Sequence, residues 1–148
     1  MNRAAPLAAG LILLTTALLL APSPALADPA SEQQLQALAG QGDANAQWML
    51  GQALLTGNLG TTDEAEGVRW LQLAADQGHA LAQRDMGMLY EQGQGVTQDT
   101  LEAFFWYSLA SRQDSGRARL RRDALAAMLT PDQREAIAAR LKGWRPSR

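Results

Sequence analysis

A chain of 148 residues without a single cysteine must be held together by packing alone, which excludes a disulfide framework and any thiolate metal site. One histidine, His79, is too few for an imidazole metal centre, and a formal net charge of −2 excludes a uniformly basic nucleic-acid binder. Charge is nonetheless divided along the chain. Between Asp28 and Ser111 the only basic side chains are Arg69 and Arg84, facing a long series of Asp and Glu, whereas from Arg112 onward arginine dominates. Two readings of that basic end stand side by side: a solvated terminal cap, or a site for an acidic partner or anionic surface.

Taken in chain order, the first segment has the layout of a signal peptide. Arg3 precedes an apolar run from Leu11 to Leu20, and Ala25-Leu26-Ala27 forms a small-x-small site, which predicts cleavage after Ala27. No Cys follows to carry a lipid, and nothing beyond Asp28 is apolar for long enough to span a membrane. The mature product is therefore expected to be periplasmic or secreted, with no stable membrane span after cleavage. Residues 28–148 are expected to form a single domain.

Within that domain the sequence matches itself at an offset of 36 residues. Ala44 falls on Ala80, Gln47 on Gln83, Gly51 on Gly87, Gly57 on Gly93, Asp63 on Asp99, Glu66 on Glu102, Trp70 on Trp106 and Ala74 on Ala110. The period predicts a half unit at 31–42, full units at 43–78 and 79–114, and C-terminal capping helices over 115–144.

Each unit reads as two helices, expected near 31–40, 44–56, 63–77, 80–92, 99–112, 117–129 and 131–142. Asp63 with Glu66, Asp99 with Glu102, Ser31 with Gln34 and Thr130 with Gln133 each have capping-box spacing, and Pro131 suits a first helical position. Gly57 and Gly93 follow first helices, and Gly42 and Gly78 end the helices before them, as left-handed caps require. Val, Ile and Thr are sparse, so no strand signal competes. Small residues at Ala46, Gly51, Ala82 and Gly87 predict close helix approach, with Leu50, Leu54, Met86 and Tyr90 filling the space between. Trp70 and Trp106 are expected to pack between units, with Leu71, Leu73, Phe104, Phe105 and Leu109 extending that apolar surface.

Ala46-Gln47, Leu50-Gly51, Gly57, Asp63, Trp70 and Ala74-Ala75, then Ala82-Gln83, Gly87, Tyr90, Gly93-Gln94-Gly95-Val96, Asp99, Ala103, Trp106 and Ala110, resemble Sel1-like repeats. The resemblance covers roughly residues 31–148, and the stretch from Arg122 to Trp144 is similar to the closing segment that follows such repeats in bacterial envelope proteins. It implies an all-α fold: an α/α solenoid of stacked antiparallel helix pairs wound as a right-handed superhelix, serving as a scaffold or adaptor. The period of 36, and Gln47 where tetratricopeptide repeats of about 34 residues prefer Trp, separate the two families. Asn58-Leu59-Gly60-Thr61 departs from the Gly-x-Gly-Val turn and Leu54 replaces the usual Tyr, so the first full unit is expected to have an altered turn and looser packing. Cysteine-rich members credited with penicillin binding or hydrolysis carry a disulfide in each unit, which this chain lacks.

No catalytic set can be assembled. His79 stands where the earlier unit has Asp43, at the start of a helix, which suits capping or exposure better than catalysis. No phosphate loop, nucleophile elbow or cofactor motif is present. What remains is a surface. Asn45, Trp48, Gln52 and Leu55 share one face of a first helix, and Leu81, Arg84, Met88 and Glu91 are their equivalents one period on. Trp48 reads either as an interface anchor or as packing against the preceding half unit. The expected partner along this face is a protein or peptide of the cell envelope, with no nucleic acid, no cofactor and no metal, and the expected state is a monomer. An envelope enzyme acting on peptidoglycan or a β-lactam is the alternative, motivated by the export signal and by distant relatives.

Overall fold

A computed structural model describes residues 29–113 and 116–147; the expected leader, 1–27, lies outside them. Among the described residues there are seven helices and no strand: α1 (Pro29–Gly40), α2 (Ala44–Thr56), α3 (Glu64–Asp76), α4 (Ala80–Gln92), α5 (Thr100–Ala110), α6 (Arg117–Ala126) and α7 (Pro131–Gly143). None is long and apolar enough to cross a membrane.

The helix ends follow from local chemistry. Asp43 accepts from the Ala46 amide, Asp63 from the Glu66 amide, and Asp99 from the amides of Leu101 and Glu102. Gly57 and Gly93 close α2 and α4 in the left-handed region, with φ of 73° and 71°. The expected capping boxes need correction. Only Thr130 and Gln133 make both reciprocal bonds, at 2.9 and 3.2 Å. Glu66 turns to Arg69 and Glu102 to Arg140, because a nearby guanidinium attracts a carboxylate more strongly than a neutral amide does. Ser31 lies inside α1, which already starts at Pro29, so it caps nothing. Helices α5 and α6 also stop two or three residues before their expected ends, where the backbone tightens into three-residue turns at Arg112, Gln113, Met128 and Leu129.

Neighbouring helices approach at the small residues. A methyl on Gly51 would lie 2.8 Å from both the Gly67 carbonyl oxygen and Leu71 Cγ; one on Gly87 would lie 2.8 Å from Tyr107 Cδ1. Leu71 and Tyr107 are themselves 36 apart, so the same contact recurs in each unit. A second recurring contact is polar. The buried Gln47 donates to the Ala39 carbonyl at 3.1 Å, and Gln83, with no exposed surface, donates to the Ala75 carbonyl at 3.1 Å. In turn Gln77 donates to Oε1 of Gln47 (2.7 Å) and Gln113 to Oε1 of Gln83 (3.3 Å). Each glutamine thus adds a second donor to a carbonyl in the last turn of the preceding helix, which also accepts from the turn glycine, Gly42 or Gly78.

The apolar core runs along the stack. Leu35, Ala39, Ala46 and Leu50 form its first cluster, with Trp70 against them. Leu71, Ala75, Met86, Leu89, Phe105 and Trp106 fill the centre, and Ala103, Tyr107, Ala118 and Leu125 the far end. Both tryptophans therefore pack between units. Trp106 is buried, whereas Trp70 is half-buried; the pair α2 and α3 is otherwise as closely packed as α4 and α5, so the looser packing expected of the first full unit is not seen. The turn after α2 does differ: its second left-handed glycine is Gly60, one position later in the period than Gly95. Leu73 does not join the core; it is 48% exposed, because two residues beyond Leu71 lies on the opposite side of a helix.

Two contacts hold α7 and the tail. Ile137, Leu141 and Trp144 join the central cluster, and the Ser147 amide donates to the Asp76 carbonyl at 2.7 Å. Arg140 bonds both Glu102 oxygens and lies over the Phe105 ring, 3.7 Å from its centre. Replacing Gln83 by Leu should lower unfolding free energy by about 1 kcal/mol, because the Ala75 carbonyl and the Gln113 amide each lose one of two partners. Urea denaturation measures the loss, and a midpoint equal to wild type would show that this amide does not hold the units together.

Candidate functional site: a groove along the first helices

Helices α2, α4 and α6 hold equivalent positions in successive units, and a cavity of about 900 Å³ opens between them. Its floor is Asp85, only 2% exposed. Trp48 Nε1 and Gln52 Nε2 donate to Asp85 Oδ2 at 2.8 and 2.5 Å, while Arg84 donates to Oδ1 through Nε (3.1 Å) and a terminal nitrogen (2.9 Å). A buried carboxylate is tolerated only when so many donors converge on it. Tyr107, from α5, lines the same cavity and donates its hydroxyl to Glu91 Oε2 at 2.9 Å. Burial raises the Tyr107 pKa to about 12, with the Asp85 charge adding to the rise and Arg84 opposing it, so the phenol stays a donor. Arg121 on α6 pairs with Glu91 from across the groove, its Nε 3.1 Å from Oε2.

Five of the eight residues expected on the partner face meet here: Trp48, Gln52, Arg84, Met88 and Glu91 all line the cavity. Three do not. Asn45 bonds His79 at 3.1 Å and lines a second, smaller cavity at the α1 end, and Leu55 packs against Gly67 and the central core. Leu81 is half-buried away from the groove, because ten residues along a straight helix do not stay on one narrow face. Trp48 does not pack with the α1 cluster; it joins the central one and stacks on His79 with ring centres 5.4 Å apart. Asp85, Gln92, Tyr107, Arg117 and Arg121 were missed. Arg117 carried a usable signal, since it lies 36 residues after Leu81.

His79 is the N-cap of α4, as its alignment with Asp43 suggests. Its Nδ1 accepts from the Ala82 amide at 3.2 Å, which leaves the proton on Nε2 to be donated to Asn45 Oδ1. Among the described residues no three His, Asp or Glu side chains gather closely enough to hold a metal ion.

The geometry so far defines a class: a repeat protein built from helix pairs, with a lined groove on the face formed by its first helices. The profile of the Sel1 repeat matches residues 44–79 and 80–115, and the chain carries two Sel1 repeats in tandem. Its fold is that of an uropathogenic Escherichia coli protective antigen, c5321, described as displaying an SLR fold; the two share 30% identity over 78% of this chain, with a TM-score of 0.70. It is similar too to a Sel1 repeat protein from Oxalobacter formigenes, at 35% identity over 60% of this chain and a TM-score of 0.58. The chain spans 26% and 36% of those two proteins. Comparison with curated proteins gives no match. Sel1 repeats generally mediate protein–protein interaction, and their fold is generally a scaffold without enzymatic activity.

Two outcomes follow from this geometry. Asp85→Ala leaves Trp48, Gln52 and Arg84 without their acceptor and should lower stability by about 3 kcal/mol, whereas Asp85→Asn, which keeps an acceptor oxygen, should cost about half as much. Equal urea midpoints for wild type and Asp85→Ala would show that this network holds nothing in place. The second concerns pH. Burial lowers the His79 pKa below 6.5, with Asp85 and Asp43 opposing that shift. Protonation in the folded state is therefore disfavoured, and it would also place a proton between Nδ1 and the Ala82 amide. The stability that neutral His79 contributes is complete above about pH 6.5 and declines as pH falls through its lowered folded pKa. His79→Asn keeps a cap without a titrating group, so between pH 7.5 and 5 its melting temperature should fall less than that of wild type. Parallel curves for the two proteins would contradict the assignment.

Proposed function

We propose that this protein is an exported adaptor that holds a segment of a partner protein in the groove between α2, α4 and α6, working in the periplasm or after secretion. The observation that carries the reading is the groove itself. Its volume of about 900 Å³ lies within the range of built binding sites, and its floor is fixed by bonds within the protein. A site held rigid before the partner arrives loses less order on binding. Trp48, Met88 and Tyr107 give it the apolar and aromatic contact area on which interface energies concentrate. Export is supported by the leader-like segment ending at Ala27. The same reading makes the protein a binder and not an enzyme.

The test avoids Trp48 and Arg84, because removing either would leave Asp85 short of a donor. Met88 lines the groove and makes no such bond, so Met88→Glu should keep the melting temperature within a few degrees of wild type. It should also lose any partner that wild type captures from cell extract. A partner retained by the folded variant would place the interaction elsewhere. Purified protein is expected to leave murein and a chromogenic cephalosporin intact, and turnover of either would overturn the non-enzymatic reading.

A further inference from the structure

The charges around the groove are unequally satisfied. Arg84 is engaged by Asp85 and Arg121 by Glu91. Arg117 lines the same cavity one turn before Arg121 on α6, and its side chain makes no ion pair or hydrogen bond with any other described residue. Its own helix does not favour it there. Helix α6 starts after Gly116 with no side-chain cap bond and no acidic residue in its first turn, so the positive end of the helix dipole faces Arg117 and Arg119. Helices α3, α5 and α7 do the opposite, placing Glu64, Glu66, Glu102 and Asp132 in their first turns, and α2 and α4 start on side-chain caps with no cation in the first turn. A cation set against its helix, at the mouth of a lined cavity, is a local cost that a function can explain.

Resting on the groove reading above, we propose that the occupant is an acidic peptide segment. A carboxylate of the partner bridges the guanidinium groups of Arg117 and Arg121, four residues apart and so on one side of α6. A neighbouring apolar side chain of the same segment lies on Trp48, Met88 and Tyr107. Charge complementarity sets the choice: the lining arginines, Arg84, Arg117 and Arg121, outnumber the lining acids, Asp85 and Glu91. The apolar wall beside them favours an extended peptide over a free anion.

Random dodecamer peptides displayed on phage, selected on the purified protein and in parallel on Arg117→Glu and Met88→Glu, test this. Wild type should enrich peptides in which Asp or Glu adjoins an aromatic or aliphatic residue. A synthetic copy of the strongest should bind Arg117→Glu at least about tenfold more weakly. That variant should melt no lower than wild type, because a glutamate suits the first turn of α6. Peptides without acidic bias that are lost on Met88→Glu but kept by Arg117→Glu would overturn the acidic occupant while leaving the groove reading intact. Peptides that bind all three proteins alike would overturn both.

Discussion

The side-chain amide of Gln83, with no surface exposed, ties three segments at once: α4, which carries it, the last turn of α3 through the Ala75 carbonyl, and the residues after α5 through Gln113. Gln47 does the same one unit earlier with Ala39 and Gln77. Hydrogen bonds are directional, so a buried amide with partners on both sides fixes the distance and rotation between units more tightly than apolar contact can. Gly51 and Gly87 then let the paired helices close to backbone and ring contact. With those two constraints repeated at the same period, the first helices fall side by side, and the groove is the space they leave.

The uneven charge of the chain acquires a structural meaning from this arrangement. Two arginines of the basic C-terminal end reach back to the acidic body: Arg121 meets Glu91 and Arg140 meets Glu102, each bridging elements distant in sequence. Exposed ion pairs contribute little each, but Arg140 adds contact with the Phe105 ring and Tyr107 shares Glu91, so both pairs belong to larger assemblies. The cap is therefore tied to the body at these two points, while most of its basic side chains stay at the solvated surface. At the floor of the groove Asp85 gathers donors from α2 and α4, and His79 stacks on Trp48 while capping α4, so the site and the joint between the two repeats share atoms.

What could be read from the sequence was what the period repeats. The helices, the glycine caps at Gly57 and Gly93, the intercalated tryptophans and the grouping of Trp48, Gln52, Arg84, Met88 and Glu91 all follow from two copies of one pattern. What escaped was what the copies do not share. Asp85 has Met49 and Arg121 as its equivalents, so no alignment of units marks it, yet it anchors the groove. Tyr107 occupies the place of Leu71 and adds a hydroxyl that only the second unit uses. The reciprocal half of the capping boxes failed for a different reason: Glu66 had Arg69 three residues on as a competing partner, and Glu102 had Arg140, 38 residues away, which spacing does not reveal. In both, a guanidinium within reach displaced the bond to a neutral amide.

On the proposed function, partners meet this protein on the face formed by α2, α4 and α6. A photoreactive amino acid placed at Met88, inside the groove, and separately at Arg134, exposed on α7, tests it in living cells. A discrete crosslinked partner is expected from position 88 and none from position 134. The same adduct from position 134 with none from position 88 would contradict it.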